Sequence, residues 1–370
     1  MEQARLKVLA VGDPAAECYL DEELGNAVFD IVPWEAYYPA MMDAFAGKRD
    51  YDIVMVAGHL WLCDFVKKGY LAELEIEEED ILPVIAQEIR YDGKAYLSPS
   101  FCDGHMIVYS KSAVHQVLGR EPGIIITPEE YIEIARAVTI SCGRRAAAMK
   151  AHPSEIFTDA LPFLRMYGGD AYDSEGNAVC DSDEAIKGLQ SYIELKSLAL
   201  EGTENFGNME IGTAIREKKA ALAVTWSGQM GAVYQKGCLE PEDLGFAAFS
   251  TSWNVTWSFA VCAGSKQKEA ANAFLRYLRS PEIDRKVGMK SGAPIRKGSY
   301  LAGAEVCPWF PVQLKMMELA RPLPNMTEAG EKNGVLYEKI AEAFSGKKSA
   351  KEAMREAKRE IDLIKAREIS

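Results

Sequence analysis

The sequence predicts an α/β protein of two domains. Its 370 residues are too many for one compact core, and an apolar share of 48% is enough to fill two cores of ordinary size. Residues 52–57, DIVMVA, are almost continuously apolar, which is typical of a parallel strand covered on both faces. Around this strand the first 68 residues follow the order strand, strand, helix, strand, helix, which is a sheet-building pattern.

The N-terminal elements end where glycine or proline interrupts the apolar pattern. The predicted strands are 6–11, 26–33 and 52–57, and the predicted helices are 36–46 and 61–68. A glycine turn, Gly58-His59, is expected between the third strand and its helix. Since ligands of open parallel sheets bind beyond the carboxyl ends of the strands, Gly58, His59, Leu60 and Trp61 are expected at the mouth of a crevice.

The rest of the chain alternates strands and helices. The extended segment 95–110 changes character at Asp103-Gly104, where we expect the first passage between domains. Thr127-Pro128-Glu129-Glu130 predicts a helix start with a capping box. A hairpin turn is predicted at 90–94, and further strands are predicted at 220–225, 245–249 and 258–263. Further helices are predicted at 81–89, 127–138, 152–167, 181–199, 209–218 and 268–278. Ser280 is expected to cap another helix, and the tail from 312 is expected to be helical.

Composition and motifs argue against several classes of function. A net charge of −13 argues against nucleic acid or an anionic membrane surface as a partner. The eight cysteines include no C-x-x-C pair and lack the usual zinc spacings. No H-E-x-x-H, G-x-S-x-G, P-loop or G-x-G-x-x-G motif occurs. We therefore expect no metal, no cofactor and no catalytic residues.

The cellular location stays open at this point. Residues 1–5 lead directly into a strand without a secretory signal, and no apolar run approaches the roughly 20 residues that span a bilayer. Two locations remain: the cytoplasm, or the far side of a membrane reached with a signal segment that is not in this sequence.

Aromatic side chains recur at predicted strand ends or beside glycine. Aromatic rings offer a large contact area at a small rotamer cost and suit the C–H faces of sugar rings, whereas sugar hydroxyls need polar partners. Each tryptophan taken alone can equally be a core residue. The aromatic candidates are Trp34, Trp61, Tyr167, Trp226, Trp253 and Trp257, and the polar candidates near them are Glu35, Asp103, Glu155, Gln229, Asn254 and Arg296.

Eight segments, in order, resemble the extracellular solute-binding proteins of ABC importers, in the carbohydrate group that includes maltose-binding protein. Each segment alone is a weak signal, but their common order and spacing over nearly the whole chain are specific. The segments are YDIVMVAGHLWLCDFVKKGYLAEL (51–74), YDGKAYLSPSFCDGHMIVYSKSAV (91–114), TPEEYIEIARAV (127–138), YGGDAY (167–172), KKAALAVTWSG (218–228), WSFAVCAGSKQKEAANAFLRYLRSPE (257–282), SGAPIRKGSY (291–300) and YEKIAEAFSGKKSAKEAM (337–354).

The resemblance implies a two-lobed, periplasmic-binding-protein-like clamp, with each lobe a mainly parallel sheet flanked by helices and three hinge crossings. It assigns 1–105 plus 260–305 to the N-terminal lobe and 106–259 plus 306–370 to the C-terminal lobe. A carbohydrate, in particular an oligosaccharide, would bind in the cleft between the lobes. A monomeric carrier, periplasmic or anchored as an extracellular lipoprotein, would then deliver it to the membrane permease subunits.

The family's ligand positions carry over onto this sequence with two departures. Leu336 stands where maltose-binding protein has a stacking aromatic residue, and His59 stands where a sugar-binding carboxylate is common. Both changes argue against maltose itself. A polyamine, a peptide or a small anion in the same clamp remains an alternative, as does an enzyme such as a two-lobed transferase. The positions carried over are Gly58, His59, Trp61, Glu155, Phe157, Trp226 and Tyr337.

Overall fold

The computed structural model describes residues 5–22, 24–25, 27–77, 79–234 and 237–369. Residues 1–4, used above for the expected lack of a signal, and Asn26, the expected first residue of the second strand, lie outside this set. The chain divides into two compact units, which are unit 1 (Met1–Asp103 and Val255–Phe310) and unit 2 (Gly104–Asn254 and Pro311–Ser370). The lobe boundaries expected from the sequence differ from these by two to five residues.

The strands of the described chain follow in sequence order. They are β1 (Leu6–Val11), β2 (Ala27–Val32), β3 (Ile53–Ala57), β4 (Arg90–Tyr91), β5 (Lys94–Ala95), β6 (Ser98–Ser110), β7 (Ile125–Ile126), β8 (Ala147–Ala148), β9 (Leu222–Trp226), β10 (Leu244–Phe249) and β11 (Asn254–Val261). The predicted hairpin at 90–94 is present as the antiparallel pair β4 and β5.

The α-helices complete the element list. They are α1 (Pro14–Glu17), α2 (Trp34–Phe45), α3 (Gly58–Lys67), α4 (Pro83–Glu88), α5 (Lys111–Leu118), α6 (Pro128–Cys142), α7 (Ile156–Leu164), α8 (Asp183–Leu195), α9 (Asn208–Arg216), α10 (Met230–Tyr234), α11 (Lys268–Leu278), α12 (Pro281–Ser291), α13 (Lys297–Gly303), α14 (Phe310–Leu319), α15 (Ala329–Phe344) and α16 (Ala350–Ile369). Among the described residues, no helix is both long and apolar enough to cross a bilayer.

The sheet of unit 1 places three tryptophan-bearing elements at one edge. Its order is β2-β1-β3-β11, with β1 parallel to β2 and β3 and with β11 antiparallel to β3. All five residues of β3 are buried, as the apolar run predicts. Helices α2 and α3 begin directly after the carboxyl ends of β2 and β3, and Trp257 of β11 lies opposite Ala57. Trp34, Trp61 and Trp257 are therefore brought to the same edge of the sheet.

The sheet of unit 2 is mixed rather than mainly parallel, which corrects the expectation for this lobe. Its order is β8-β9-β6-β10-β7; β6 is antiparallel to both β9 and β10, whereas β8 is parallel to β9 and β7 to β10. The chain enters unit 2 at Gly104, beside the carboxyl end of β9. From there β6 runs back along β9, so the two strands are antiparallel. His105 consequently lies opposite Trp226, the last residue of β9.

Several element boundaries were predicted wrongly. Gly58-His59 is not a turn: α3 starts at Gly58, where a Cβ atom would lie 2.7 Å from the Glu88 carbonyl oxygen, so glycine permits close packing there. β11 starts at Asn254, four residues before the start of the strand predicted at 258–263. The tail is not continuously helical, because residues 320–328, which include two prolines, separate α14 from α15.

Candidate functional site

Three tryptophans of unit 1 form one aromatic cluster. The Trp34 ring stacks on the Trp61 ring with centroids 5.7 Å apart and an interplanar angle of 27°, and it meets Trp257 edge-on at 6.0 Å. Trp61 is buried, whereas Trp34 is 46% exposed at the first residue of α2. Trp61, on which the Trp34 ring stacks, also packs against Tyr38 and Phe65, so these two rings support the Trp34 platform. An exposed ring fixed in this way can take a flat apolar face of a ligand.

Gly58 and His59, which the family resemblance assigns to the site, precede Trp61 in α3. Gly58 is buried, and His59 follows it in the first turn of α3. Burial lowers the pKa of His59 to about 4, so its imidazole is neutral at physiological pH. The Nδ1 atom of His59 is buried without a hydrogen-bond partner among the described residues.

The remaining polar candidates of unit 1 have different surroundings. Glu35 is exposed next to Trp34, and Asp103 is buried within β6 at the end of the unit. Arg296 is buried, and its guanidinium donates hydrogen bonds to the Arg279 carbonyl oxygen at 2.9 Å and to the Glu79 carbonyl oxygen at 2.8 Å. These contacts tie Arg296 to the scaffold of unit 1.

In unit 2, Trp226 is held by charged and aromatic neighbours at the end of β9. Its indole Nε1 donates a hydrogen bond to Glu155 Oε2 at 3.2 Å, and Glu155 immediately precedes α7. The His105 ring lies 4.1 Å from the Trp226 ring, centroid to centroid, and Trp253 meets Trp226 edge-on at 5.3 Å. Trp226 is half-buried, so part of the indole remains accessible.

Lys150 completes this group, although nothing in the sequence analysis singled it out. Its side chain is fully buried, with Nζ 4.3 Å from the centroid of the Trp226 ring and 3.6 Å from Glu155 Oε2. The same Nζ lies 3.3 Å from His105 Nε2. Buried lysines are rare unless they are paired, and this one contacts an anion, an imidazole and a π face together. The one signal in the sequence that could have indicated a buried Lys150 is its position directly after the apolar run 146–149.

A buried carboxyl group, that of Asp159, supports the same cluster. Its Oδ2 atom accepts hydrogen bonds from the Lys150 backbone N–H at 3.2 Å and from the Tyr192 hydroxyl at 2.8 Å. Burial raises the pKa of Asp159 to about 6, while the Lys150 charge opposes that shift. Burial and the Lys150 charge together hold the pKa of His105 well below its ordinary value, so His105 is neutral. Sequence reasoning missed both residues.

The other unit 2 candidates are mostly interior. Trp253 and Phe157 have no exposed surface, and Phe157 packs edge-on against Tyr337 at 5.4 Å. Tyr337 is half-buried and lies in the middle of α15, which begins at Ala329. Leu336 is buried in the same helix. Gln229 is half-buried in the 3-10 turn Ser227–Gln229 after β9.

The two clusters offer stacking surfaces and fixed hydrogen-bonding groups. No group of three or more His, Cys, Asp or Glu side chains in the described ranges is arranged to hold a metal ion. Indole faces together with the Glu155 carboxylate suit reversible capture of a small polar molecule.

Two α/β units, each with an aromatic cluster at a strand end, are compatible with a solute-binding protein. The chain belongs to the bacterial extracellular solute-binding protein family, whose model matches residues 26–284. This confirms the family expected from the eight segments.

Similar proteins of known structure share the fold over nearly the whole chain. The maltose-bound MalE3 protein of T. maritima is 18% identical, with a TM-score of 0.84, 98% of this chain covered and 100% of that chain. An ABC transporter solute-binding protein of Agrobacterium radiobacter K84, in complex with ribitol, is 22% identical, with a TM-score of 0.82 and 98% of each chain covered. The predicted α/β, periplasmic-binding-protein-like fold is therefore confirmed.

A relative known from its sequence has a different described solute. It is a probable amino-acid ABC transporter periplasmic-binding protein of Sinorhizobium fredii, 24% identical over 280 residues, which are 71% of this chain. The matched region spans 64% of the length of that relative.

Proposed function

We propose that this protein is the solute-binding component of an ABC importer and that it captures a carbohydrate, in particular an oligosaccharide, for delivery to membrane permease subunits. The observation that carries the proposal is the exposed Trp34 ring, stacked on Trp61 and braced by Trp257. Sugar rings present C–H faces that pack on such an indole. Maltose and ribitol, bound by the two proteins of similar fold, belong to the same chemical class or a neighbouring one.

The ligand set proposed from unit 2 is Trp226 with Glu155. Because the Trp226 indole N–H and Lys150 both engage Glu155 Oε2, the carboxylate is held in one orientation. A fixed carboxylate is a good acceptor for sugar hydroxyl groups. Gln229 and Tyr337 are the further polar candidates of this unit. Closure of a clamp on the solute, anchoring as a lipoprotein and the monomeric state stay predictions from the family.

The first experiment is thermal unfolding against a panel of solutes. The panel holds mono- and oligosaccharides, ribitol, amino acids, spermidine and a peptide mixture. A ligand at about 100 times its Kd adds roughly 2.7 kcal/mol to the free energy of unfolding, which raises the midpoint by several degrees. A shift with an oligosaccharide supports the proposal. If only amino acids or spermidine shift the midpoint, the solute is a charged molecule and not a carbohydrate.

Removing the Trp34 platform should weaken binding without unfolding the protein. With the sugar that the panel identifies, Trp34→Ala should raise Kd about 5- to 30-fold, because one aromatic stacking contact contributes roughly 1–2 kcal/mol. Titration calorimetry measures the change. Tyr277→Ala is the control, since Tyr277 is an exposed aromatic residue (42%) on α11 of the same unit. Equal affinity of both variants and the parent protein would contradict the stacking role.

A charged solute is the second candidate, and one observation favours it. Glu155 keeps 22% of its side chain exposed, so a carboxylate is available to an ammonium group. The sequence relative described as an amino-acid transporter component points the same way. Glu155→Gln separates the two cases. It should abolish binding of an ammonium-bearing solute, whereas a sugar should lose only one acceptor and bind several-fold more weakly.

A further inference from the structure

Two cysteines differ from the other six in their surroundings. All eight lie in the described part of the chain as free thiols, and six of them are buried. Cys142 is exposed and Cys238 is half-buried. Both line one cavity of about 180 Å³ within unit 2, and none of the lining residues belongs to the tryptophan clusters. The two accessible thiols of the chain therefore share one small cavity, although 95 residues separate them in sequence.

A set of polar contacts joins the segments that carry the two thiols. Cys142 ends α6, and after a left-handed Gly143 the Arg144 guanidinium donates a hydrogen bond to the Lys219 carbonyl oxygen at 2.6 Å. The neighbouring Lys218 forms an ion pair with Glu240, two residues after Cys238. Arg144, Lys218 and Glu240 all line the same cavity as the thiols. The segment with Cys142 is therefore hydrogen-bonded to the loop at 218–219, and the segment with Cys238 is ion-paired to the same loop.

We propose that Cys142 and Cys238 form a dithiol site that reacts with low-molecular-weight disulfides. The Cys142 thiolate attacks the disulfide R–S–S–R, forms the mixed disulfide Cys142–S–S–R and releases R–S⁻. The Cys238 thiolate then attacks the Cys142 sulfur, forms the Cys142–Cys238 disulfide and releases the second R–S⁻. The two thiol protons pass to the leaving thiolates, so one R–S–S–R is reduced to two R–SH while the protein dithiol is oxidised.

The order of the two steps follows from exposure. Both thiols line the cavity, but Cys142 is exposed and meets the small disulfide first, whereas the half-buried Cys238 serves as the resolving thiol. Burial raises the pKa of Cys238, and it raises the pKa of the interior thiols Cys180 and Cys262 further, to about 12, so these interior thiols are the less reactive ones. Members of an extracellular family encounter small disulfides outside the cell, where thiols are readily oxidised.

The test uses the reduced full chain and hydroxyethyl disulfide as the probe. After incubation at about pH 8, where ordinary thiols are partly ionised, intact mass and proteolytic peptides are measured. We expect a loss of about 2 Da, the mass of two hydrogen atoms, and a peptide pair joined through Cys142 and Cys238. The midpoint of thermal unfolding should rise by several degrees, because the new bond closes a long loop.

Single-cysteine variants separate a pair from two independent thiols. Cys142→Ser and Cys238→Ser should each retain one stable hydroxyethyl adduct on the remaining thiol, and Cys307→Ser, at a buried site, should behave as the parent chain does. Two stable adducts on the parent chain would overturn the proposal, because the thiols would then lie too far apart to bond. Absence of any reaction, or reaction at the buried cysteines, would also overturn it.

Discussion

Replacing Gly188 with alanine should destabilise unit 2 by about 3 kcal/mol, at the upper end of the usual effect of overpacking. Gly188 lies in α8 where this helix crosses α7, and a Cβ atom there would lie 2.1 Å from the Phe163 carbonyl oxygen and 2.9 Å from the Leu164 Cα atom. Both are backbone atoms, so no side-chain rotation can relieve the overlap. The two helices must separate, and the packing around Phe163 would loosen. Denaturant unfolding measures the loss.

Replacing Gly334 with alanine should stabilise the protein, which is the opposite of the effect expected at Gly188. Gly334 is an exposed glycine inside α15, and no atom lies within 4 Å of where its Cβ would be. Alanine is favoured over glycine in such a helix interior by about 0.5–1 kcal/mol. Gly334→Ala should therefore raise the free energy of unfolding. If both variants changed stability in the same direction, close helix contact at Gly188 would not be the cause.

Local signals in the sequence predicted many elements well. The capping box at Thr127 and Glu130 is formed in both directions, and α6 starts at Pro128 as expected. The same helix continues four residues past the predicted end, because the left-handed Gly143 ends it. Capping chemistry is local and therefore readable. The start of α3 could not be predicted from local sequence. Glycine is needed at position 58 because the backbone there packs closely against Glu88, which is thirty residues away.

The candidate site was predictable only in part, for a similar reason. Aromatic residues at strand ends predicted Trp34, Trp61 and Trp226, since strand ends are visible in the sequence. Lys150 was missed because its contacts with His105 and Trp226 span 45 and 76 residues, and lysine is ordinarily an exposed residue. Buried charge depends on tertiary partners, which no local pattern reports.

Replacing Lys150 with methionine should lower the free energy of unfolding by about 3–5 kcal/mol at neutral pH, the usual cost of removing one partner from a buried ion pair. Methionine fills a similar volume but leaves Glu155 and the buried Asp159 without the cation. Lys219→Met is the matched control: Lys219 is 60% exposed and pairs with Glu217 at the surface. Its loss should cost no more than about 0.5 kcal/mol. Denaturant unfolding of both variants gives the comparison.

The pH dependence of that loss has a definite sign. The folded-state pKa of Asp159 is about 6, against an ordinary value of 3.8, so the folded chain binds more protons than the unfolded chain between these values. The contribution of Asp159 to stability therefore falls as pH rises through this window. The Lys150 charge lowers the pKa of both Asp159 and His105, so its removal raises both. The destabilisation by Lys150→Met should accordingly shrink between about pH 7.5 and about pH 5, as the folded variant takes up these protons.

A double substitution tests whether Lys150 acts through Asp159. In Lys150→Met/Asp159→Asn the buried anion is absent, and the amide oxygen can still accept hydrogen bonds from Tyr192 and from the residue 150 backbone N–H. The double variant should then be more stable than the sum of the two single losses predicts, by about 1–2 kcal/mol, since contacting groups are not additive. Its stability should also vary less with pH than that of Lys150→Met. Strict additivity and an unchanged pH profile would instead mean that Lys150 supports unit 2 chiefly through the Trp226 ring and Glu155.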